Sequence, residues 1–198
     1  GIYTVIATKS LYLKSEYNRH HIMVGPDVWM DEVSNPDFIE DPLLYRAWRI
    51  QAASEGLRVR IGRWNVPGKP TAILVDFKQF LTRQDEILTE FWKHFGVDSL
   101  TGNWDYRESA LFGYAAGRVI ESFWRYNLDS SDKVVAQFHE WMTGTGLLYL
   151  KSVNVPISTV FTTHATVIGR CIAGNNLPLY DGMMNWNADE KARHFNVV

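Results

Sequence analysis

The sequence predicts an α/β fold, a mostly parallel sheet with helices on both faces. Three observations carry this expectation. From Lys133 to Gly174 the pattern runs strand, helix, strand, helix. The strands in that run are rich in apolar residues, as strands of a parallel sheet covered on both faces are. A long helical stretch before them carries Gly113, Ala115, Ala116 and Gly117, small residues that permit close packing against a sheet.

The elements follow in order. "IYTVIATKSLYLKSEY" from Ile2 has apolar residues at helical spacing and no breaker, so it reads as a helix. It opens abruptly at Gly1: either Gly1 is a cloning remnant, or the chain is cut just before this helix and a preceding strand is then missing. "HHIMVGP" reads as a short buried strand stopped by Gly25-Pro26, with a loop containing Pro36 after it. "DPLLYRAWRIQAASEG" reads as a helix with Asp41 as N-cap, Pro42 in its first turn and Gly56 as its stop. "LRVRIGRW" and "TAILVDF" read as a hairpin, because Pro67-Gly68 between them is type II turn chemistry. "RQDEILTEFWKHFG" is an amphipathic helix closed by Gly96, and "DYRESALFGYAAGRVIESFWRYN" is the long helix. Then come the strand "KVVAQFHEW", the helix "TGTGLLYLKSV", the strand "PISTVFTTH" and the helix "ATVIGRCIAG". The tail "NADEKARHFNVV" opens with Asn187 as N-cap and Asp189 and Glu190 in the first turn, and reads as a helix interrupted by the end of the chain.

Bulk composition excludes several function classes. The chain has 198 residues, 46% hydrophobic and 21% charged, the make-up of one soluble globular domain or one lobe of something larger. Net charge is -2, with no basic footprint for nucleic acid. No apolar run approaches the roughly 20 residues that span a bilayer, so no membrane role is expected. A single cysteine, Cys171, rules out an intrachain disulfide framework and fits a reducing cytoplasm. Eight tryptophans and 14% aromatics are high, and aromatic rings stack on the apolar faces of sugars as well as filling cores.

In open parallel sheets ligands bind beyond the carboxyl ends of the strands. Two polar clusters fall there. "FHEW" ends one strand with His139, Glu140 and Trp141, and "TTHAT" ends the next with His164. If the strands are neighbours, His139, Glu140 and His164 face one crevice. A helix beginning at Ala165 would aim N–H groups at it, which suits a phosphate or sugar hydroxyls. Thr and His at such a junction also serve simply to cap the helix. "HEWMT" has Thr143 where a zinc-binding HExxH needs its second histidine. "GRWNVPGKP" is one residue too long for a nucleoside-triphosphate loop and has Pro70 in place of its Ser/Thr. "TGTG" lacks a GxGxxG continuation and is explained by tight helix packing. No metal or other cofactor is expected.

Four segments together resemble one family. "GIYTV" at Gly1–Val5 is similar to the start of that family's first helix. "RIGRWNVPGKPTAILVDF" resembles its G-R-W-…-G-x-P-x-x-I-L-x-D segment, and "AQFHEWMTGTGL" its HFHEW-x-x-G segment. "TVFTTHATVIGR" at Thr159–Arg170 is nearly its T-x-F-T-T-H-A-T-x-x-G-R motif, and this block is specific. The chain is thus identified, over nearly its whole length, as resembling glycogen synthases of the animal and fungal type, which also have bacterial members. It departs at Gln137, which replaces the first histidine of HFHEW, at Asn65–Pro67 and at Cys171. These departures suggest a bacterial branch, leave the reaction class intact and put allosteric regulation in doubt.

The resemblance implies retaining transfer of glucose from a nucleotide-diphosphate glucose, normally UDP-glucose, to the non-reducing end of glycogen or another α-1,4-glucan. It implies a GT-B enzyme of two Rossmann-like lobes, with residues 1–198 an incomplete N-terminal lobe and a single domain. The C-terminal lobe, with its nucleotide contacts and catalytic carboxylate, lies outside this sequence. Homo-oligomer assembly stays open for the full-length form. By resemblance, His164 contacts the donor glucose near the reacting carbon. Arg170 lies near the donor phosphates, one and a half turns into the helix and roughly 9 Å along its axis from His164. Gly1 belongs to the loop that lets backbone approach the diphosphate, and His139 and Glu140 line the sugar cleft. Two alternatives stay open: an ADP-glucose-using starch synthase relative, against which FTTHAT argues, and a glucan-binding or scaffolding module without catalysis.

Overall fold

In the computed structural model of the chain, which describes residues 1–17, 20–28 and 35–197, helix α1 spans Ile2–Tyr17, as its spacing predicts. Part of the expected loop around Pro36 and the final Val198 lie outside the described residues. Strand β1 (Ile22–Pro26) pairs in parallel with β4 (Thr71–Val75), from Ile22 opposite Thr71 to Pro26 opposite Val75. On its other side β4 pairs antiparallel with β3 (Val59–Trp64), and β3 with β2 (Phe38–Glu40). The sheet order is β1-β4-β3-β2. A second, two-stranded sheet holds β5 (Val135–His139) and β6 (Ser158–Thr162) in parallel, joined through helix α5 (Gly144–Ser152). The architecture is mixed α/β. Parallel pairing holds for β1–β4 and β5–β6, while the hairpin makes the first sheet mixed.

The hairpin is local chemistry. Lys69 N–H donates to the Val66 carbonyl at 2.9 Å and Gly68 has φ 91°, the positive value a type II turn needs at its third residue. The same glycine presses on α1, where a Cβ would lie 2.9 Å from the Ser10 carbonyl oxygen.

Helices α2 (Arg46–Ser54), α3 (Gln84–Phe95) and α4 (Trp104–Asn127) pack the first core. Trp48, Leu57, Ile61, Ile73, Leu88, Leu111 and Val119 are its buried centre. The Trp48 indole N–H donates to the buried Ser122 hydroxyl at 3.1 Å, so the ring leaves no polar atom unpaired. The expected start of α2 is corrected. The Asp41 carboxylate accepts the Leu43 N–H at 3.0 Å, forming a side-chain turn, and Tyr45 takes φ 48° before the helix opens at Arg46. Asp41 and Pro42 therefore build a turn, not a cap.

The small residues of α4 divide their work. Ala115 joins the sheet-packed core, but Gly113 and Gly117 meet α5 rather than a sheet. A Cβ at Gly117 would lie 2.9 Å from the Gly146 carbonyl oxygen, and Thr145 Oγ1 donates to the Ala110 carbonyl at 2.6 Å. Backbone thus lies on backbone at the α4–α5 crossing, which explains TGTG as packing. At the far end of α5, the Tyr149 hydroxyl binds the Glu121 carboxylate. Burial, then that bond, raises the phenol's pKa and keeps it a donor.

Four helices end alike. Gly56, Asn154, Asn176 and Asn196 take positive φ just past α2, α5, α6 (Val167–Gly174) and α8 (Ala188–His194). In each, the next residue's N–H reaches back five residues, as Leu57 does to Ala52 at 2.8 Å and Val197 to Ala192 at 2.9 Å. This is the Schellman closure. It corrects the expectation of an interrupted last helix: α8 closes at His194 with its own cap. Its start is as expected, with Asn187 accepting from the N–H groups of Asp189 and Glu190. Among the described residues no helix is long and apolar enough to cross a membrane. Two compact units emerge, Gly1–Thr162 and Thr163–Val198, the second holding α6, the short α7 (Leu179–Gly182) and α8.

Candidate functional site

The candidate residues fall into both units. In the first, β5 ends at His139, which is half-buried and sits opposite Thr162 of β6. Glu140 follows, buried, with φ 66° and ψ 167°. That is a region nearly reserved for glycine, and a side chain there costs roughly 1–3 kcal/mol. Hydrogen bonds hold it. The Glu140 N–H donates to the Thr162 carbonyl at 2.9 Å, extending the parallel ladder past the strand. Its carbonyl accepts the Thr143 N–H at 3.1 Å and Oγ1 at 3.2 Å, and that Oγ1 also lies 3.0 Å from the His139 carbonyl. The chain is forced to turn sharply here, and Trp141 opens a 3-10 turn through Thr143.

Trp141 is 53% exposed. Its ring lies parallel to Tyr106, with centroids 6.0 Å apart and planes 3° apart. Tyr106 is itself fixed: its hydroxyl is 2.6 Å from Ser99 Oγ, and its N–H donates to Asn103, the N-cap of α4, at 3.0 Å. Composition hinted at aromatic work, but only the fold singles out this pair. Gln137, the departure in this motif, donates from its amide to Thr162 Oγ1 across the ladder at 2.7 Å.

In the second unit, His164 is half-buried in the segment before α6. The helix starts at Val167, not at Ala165 as expected. Thr166 has extended backbone (φ -108°, ψ 149°), and its Oγ1 accepts the Gly169 N–H at 3.0 Å. Thr is a strong N-cap, so it claims the helix start. Two consequences follow. The residue whose side chain caps α6 is Thr166. Arg170 is the fourth helical residue, within the first turn rather than one and a half turns in, and is exposed.

Gly1 is exposed just ahead of α1, its carbonyl accepting the Val5 N–H at 3.3 Å. The fold therefore brings His139, Glu140, Trp141 and Tyr106 together, and sets His164 and Arg170 around one helix start.

Sequence reasoning missed two buried acids. Asp27 and Asp76 directly follow the carboxyl ends of the parallel neighbours β1 and β4 and are 3% and 4% exposed. Arg60 lies 3.4 Å from Asp27 and 2.9 Å from Glu40, and Arg58 lies 3.7 Å from Asp76. Asp76 also accepts the Lys78 N–H at 2.9 Å. These opposite charges surround a small cavity of about 110 Å³. A larger hollow of about 590 Å³ between α2 and the start of β3 contains none of the candidate residues. Among the described residues no group of three or more His, Cys, Asp or Glu is placed to hold a metal ion.

The glycogen synthase family model matches residues 1–197. The chain is 32% identical over 195 residues to a glycogen [starch] synthase of Dictyostelium discoideum, covering 97% of this chain and 21% of that protein. It is 29% identical over 195 residues to the liver glycogen [starch] synthase of Rattus norvegicus, covering 97% and 27%. To glycogen [starch] synthase isoform 2 of Saccharomyces cerevisiae it is 27% identical over 207 residues, covering 100% and 29%. The chain thus spans between about a fifth and three-tenths of the length of these curated relatives.

Proposed function

The chain belongs to the glycogen synthase family, and on that premise we propose that it forms the N-terminal, Rossmann-like lobe of a two-lobe GT-B glycosyltransferase. The full-length protein transfers glucose, with retention, from UDP-glucose to the non-reducing end of an α-1,4-glucan in the cytoplasm. The observation that carries this reading is the family match across residues 1–197, which includes the whole Thr159–Arg170 block.

In this reading His164, outside the helix that Thr166 caps, contacts the donor glucose. Arg170 in the first turn of α6 adds a fixed positive charge where the diphosphate departs, and preorganised charge of this kind lowers the barrier without reorganisation. The glycine at position 1 keeps backbone bare beside the diphosphate. His139 and Glu140 line the sugar cleft. The strain held at Glu140 supports a role there, since strained backbone clusters at functional sites. The nucleotide pocket and the catalytic carboxylate come from the C-terminal lobe, so residues 1–198 alone transfer no glucose.

The test uses the full-length gene product with radiolabelled UDP-glucose, and separately ADP-glucose, and glycogen as acceptor. Transfer is expected from UDP-glucose. His164→Ala should lower kcat by about a hundredfold or more with little change in melting temperature. Absence of transfer from either donor, with glycogen still bound, would overturn the reading in favour of a glucan-binding module.

A further inference from the structure

We propose that Trp141, backed by Tyr106, is a stacking platform for a glucose ring of the acceptor glucan. This rests on the glucosyltransferase reading above and assigns one contact within it. A pyranose has an apolar face of C–H bonds and a polar rim of hydroxyls. An exposed indole held in a fixed orientation matches that face.

The geometry supplies both properties. Tyr106 lies parallel to Trp141 with ring centroids 6.0 Å apart, and the indole is still 53% exposed. Both rings are anchored: Trp141 by the turn that Thr143 closes onto Glu140, Tyr106 by Ser99 and the capped start of α4. Ordering a large side chain in advance removes entropy that binding would otherwise lose. The stack stands at the carboxyl end of parallel strand β5, where open α/β sheets take ligands. It directly follows the strained Glu140. Trp92 and Trp104 are equally exposed, at 54% and 55%, but among the described residues neither has an aromatic ring stacked on it. Exposure alone therefore does not mark the site; the stack does.

The test uses the full-length protein carrying Trp141→Ala, Trp141→Phe, Tyr106→Leu or Trp104→Ala. The readouts are KM for maltoheptaose, KM for UDP-glucose, and donor-free calorimetry with maltoheptaose. Trp141→Ala should raise the maltoheptaose KM and Kd about tenfold or more, leaving the donor KM and the melting temperature unchanged. Trp141→Phe should retain most of the affinity, Tyr106→Leu should lose part of it, and Trp104→Ala should lose none. Unchanged maltoheptaose affinity in Trp141→Ala overturns the proposal. So does a rise in donor KM without a change for maltoheptaose, which would give the ring to the nucleotide. A Trp141→Ala protein that melts early transfers the decision to Trp141→Phe and Tyr106→Leu, where affinity equal to the wild type overturns it. If the wild type transfers no glucose, the glucosyltransferase reading fails separately, and the donor-free titration still decides the platform.

Discussion

Gly146→Ala is the sharpest test of the packing that supports the site. The added methyl would sit 2.8 Å from Cε1 of Phe138 and against the Gly113 carbonyl oxygen. The second neighbour is helix backbone and cannot swing aside, so α5 must move away from α4. Two terms compete. Alanine is the better helix former by about 1 kcal/mol. Overpacking a tight contact costs about 1–3 kcal/mol. Because the clash involves backbone and a ring 3% exposed, the upper part of that range applies, and the net loss is about 1–2 kcal/mol. At 2–4 °C per kcal/mol for a domain of this size, melting should fall by about 2–8 °C. Calorimetry of the full-length protein reads this directly. Gly174→Ala is the control, since it ends α6 with nothing within 4 Å of a new Cβ. It should melt at or slightly above the wild type. If Gly146→Ala is as stable as Gly174→Ala, the α4–α5 crossing is not the constraint described above. A second readout follows from chain order. The turn that carries Trp141 leads straight into α5, so displacing the helix should also weaken glucan binding.

Two further outcomes are expected. Thr166→Ala should cost about 1 kcal/mol and speed amide exchange at Gly169, whose N–H loses its acceptor, while Thr166→Ser should restore protection; unchanged exchange in the alanine variant would remove Thr166 as the cap. His21 is half-buried, burial lowers its pKa from the ordinary 6.5, and its Nδ1 has no hydrogen-bond partner among the described residues. Below pH 6.5 the unfolded chain therefore takes up the proton first. Its stabilising contribution is complete above that pH and is lost as pH falls through the lowered value. The melting temperature of the wild type should drop more steeply from pH 7.5 to 5.5 than that of His21→Phe, and equal slopes would refute this.

Much of the fold was legible because its signals are local. Pro67-Gly68 determines a turn through φ alone, Gly96 closes α3 with φ 67°, and Asn187 caps α8 with its own side chain. Where the sequence misled, two local signals competed. Asp41 followed by Pro42 can cap a helix or build a side-chain turn, and the choice was made by Tyr45 three residues on. Thr166 and His164 were both plausible at the start of α6, and the better cap won. Strand β2 has only three residues and exists because β3 lies beside it, so no pattern of its own could announce it. The glycines of α4 declared a close approach but not its object. For the site, the histidines and Glu140 were visible as residue types. The backbone conformation of Glu140 and the ring parallel to Trp141 depend on partners 22 and 35 residues away, Thr162 and Tyr106, and no motif encodes them.

The conformation of Glu140 also bears on how this protein would evolve in the laboratory. Glycine is the residue most at ease at φ 66°, ψ 167°, so in a library screened for heat resistance alone Glu140→Gly sets relief of the backbone against loss of a buried side chain. The same library screened for the activity proposed above should retain the carboxylate. The position is thus a place where the two screens should part company, and sequencing the survivors of each would show it.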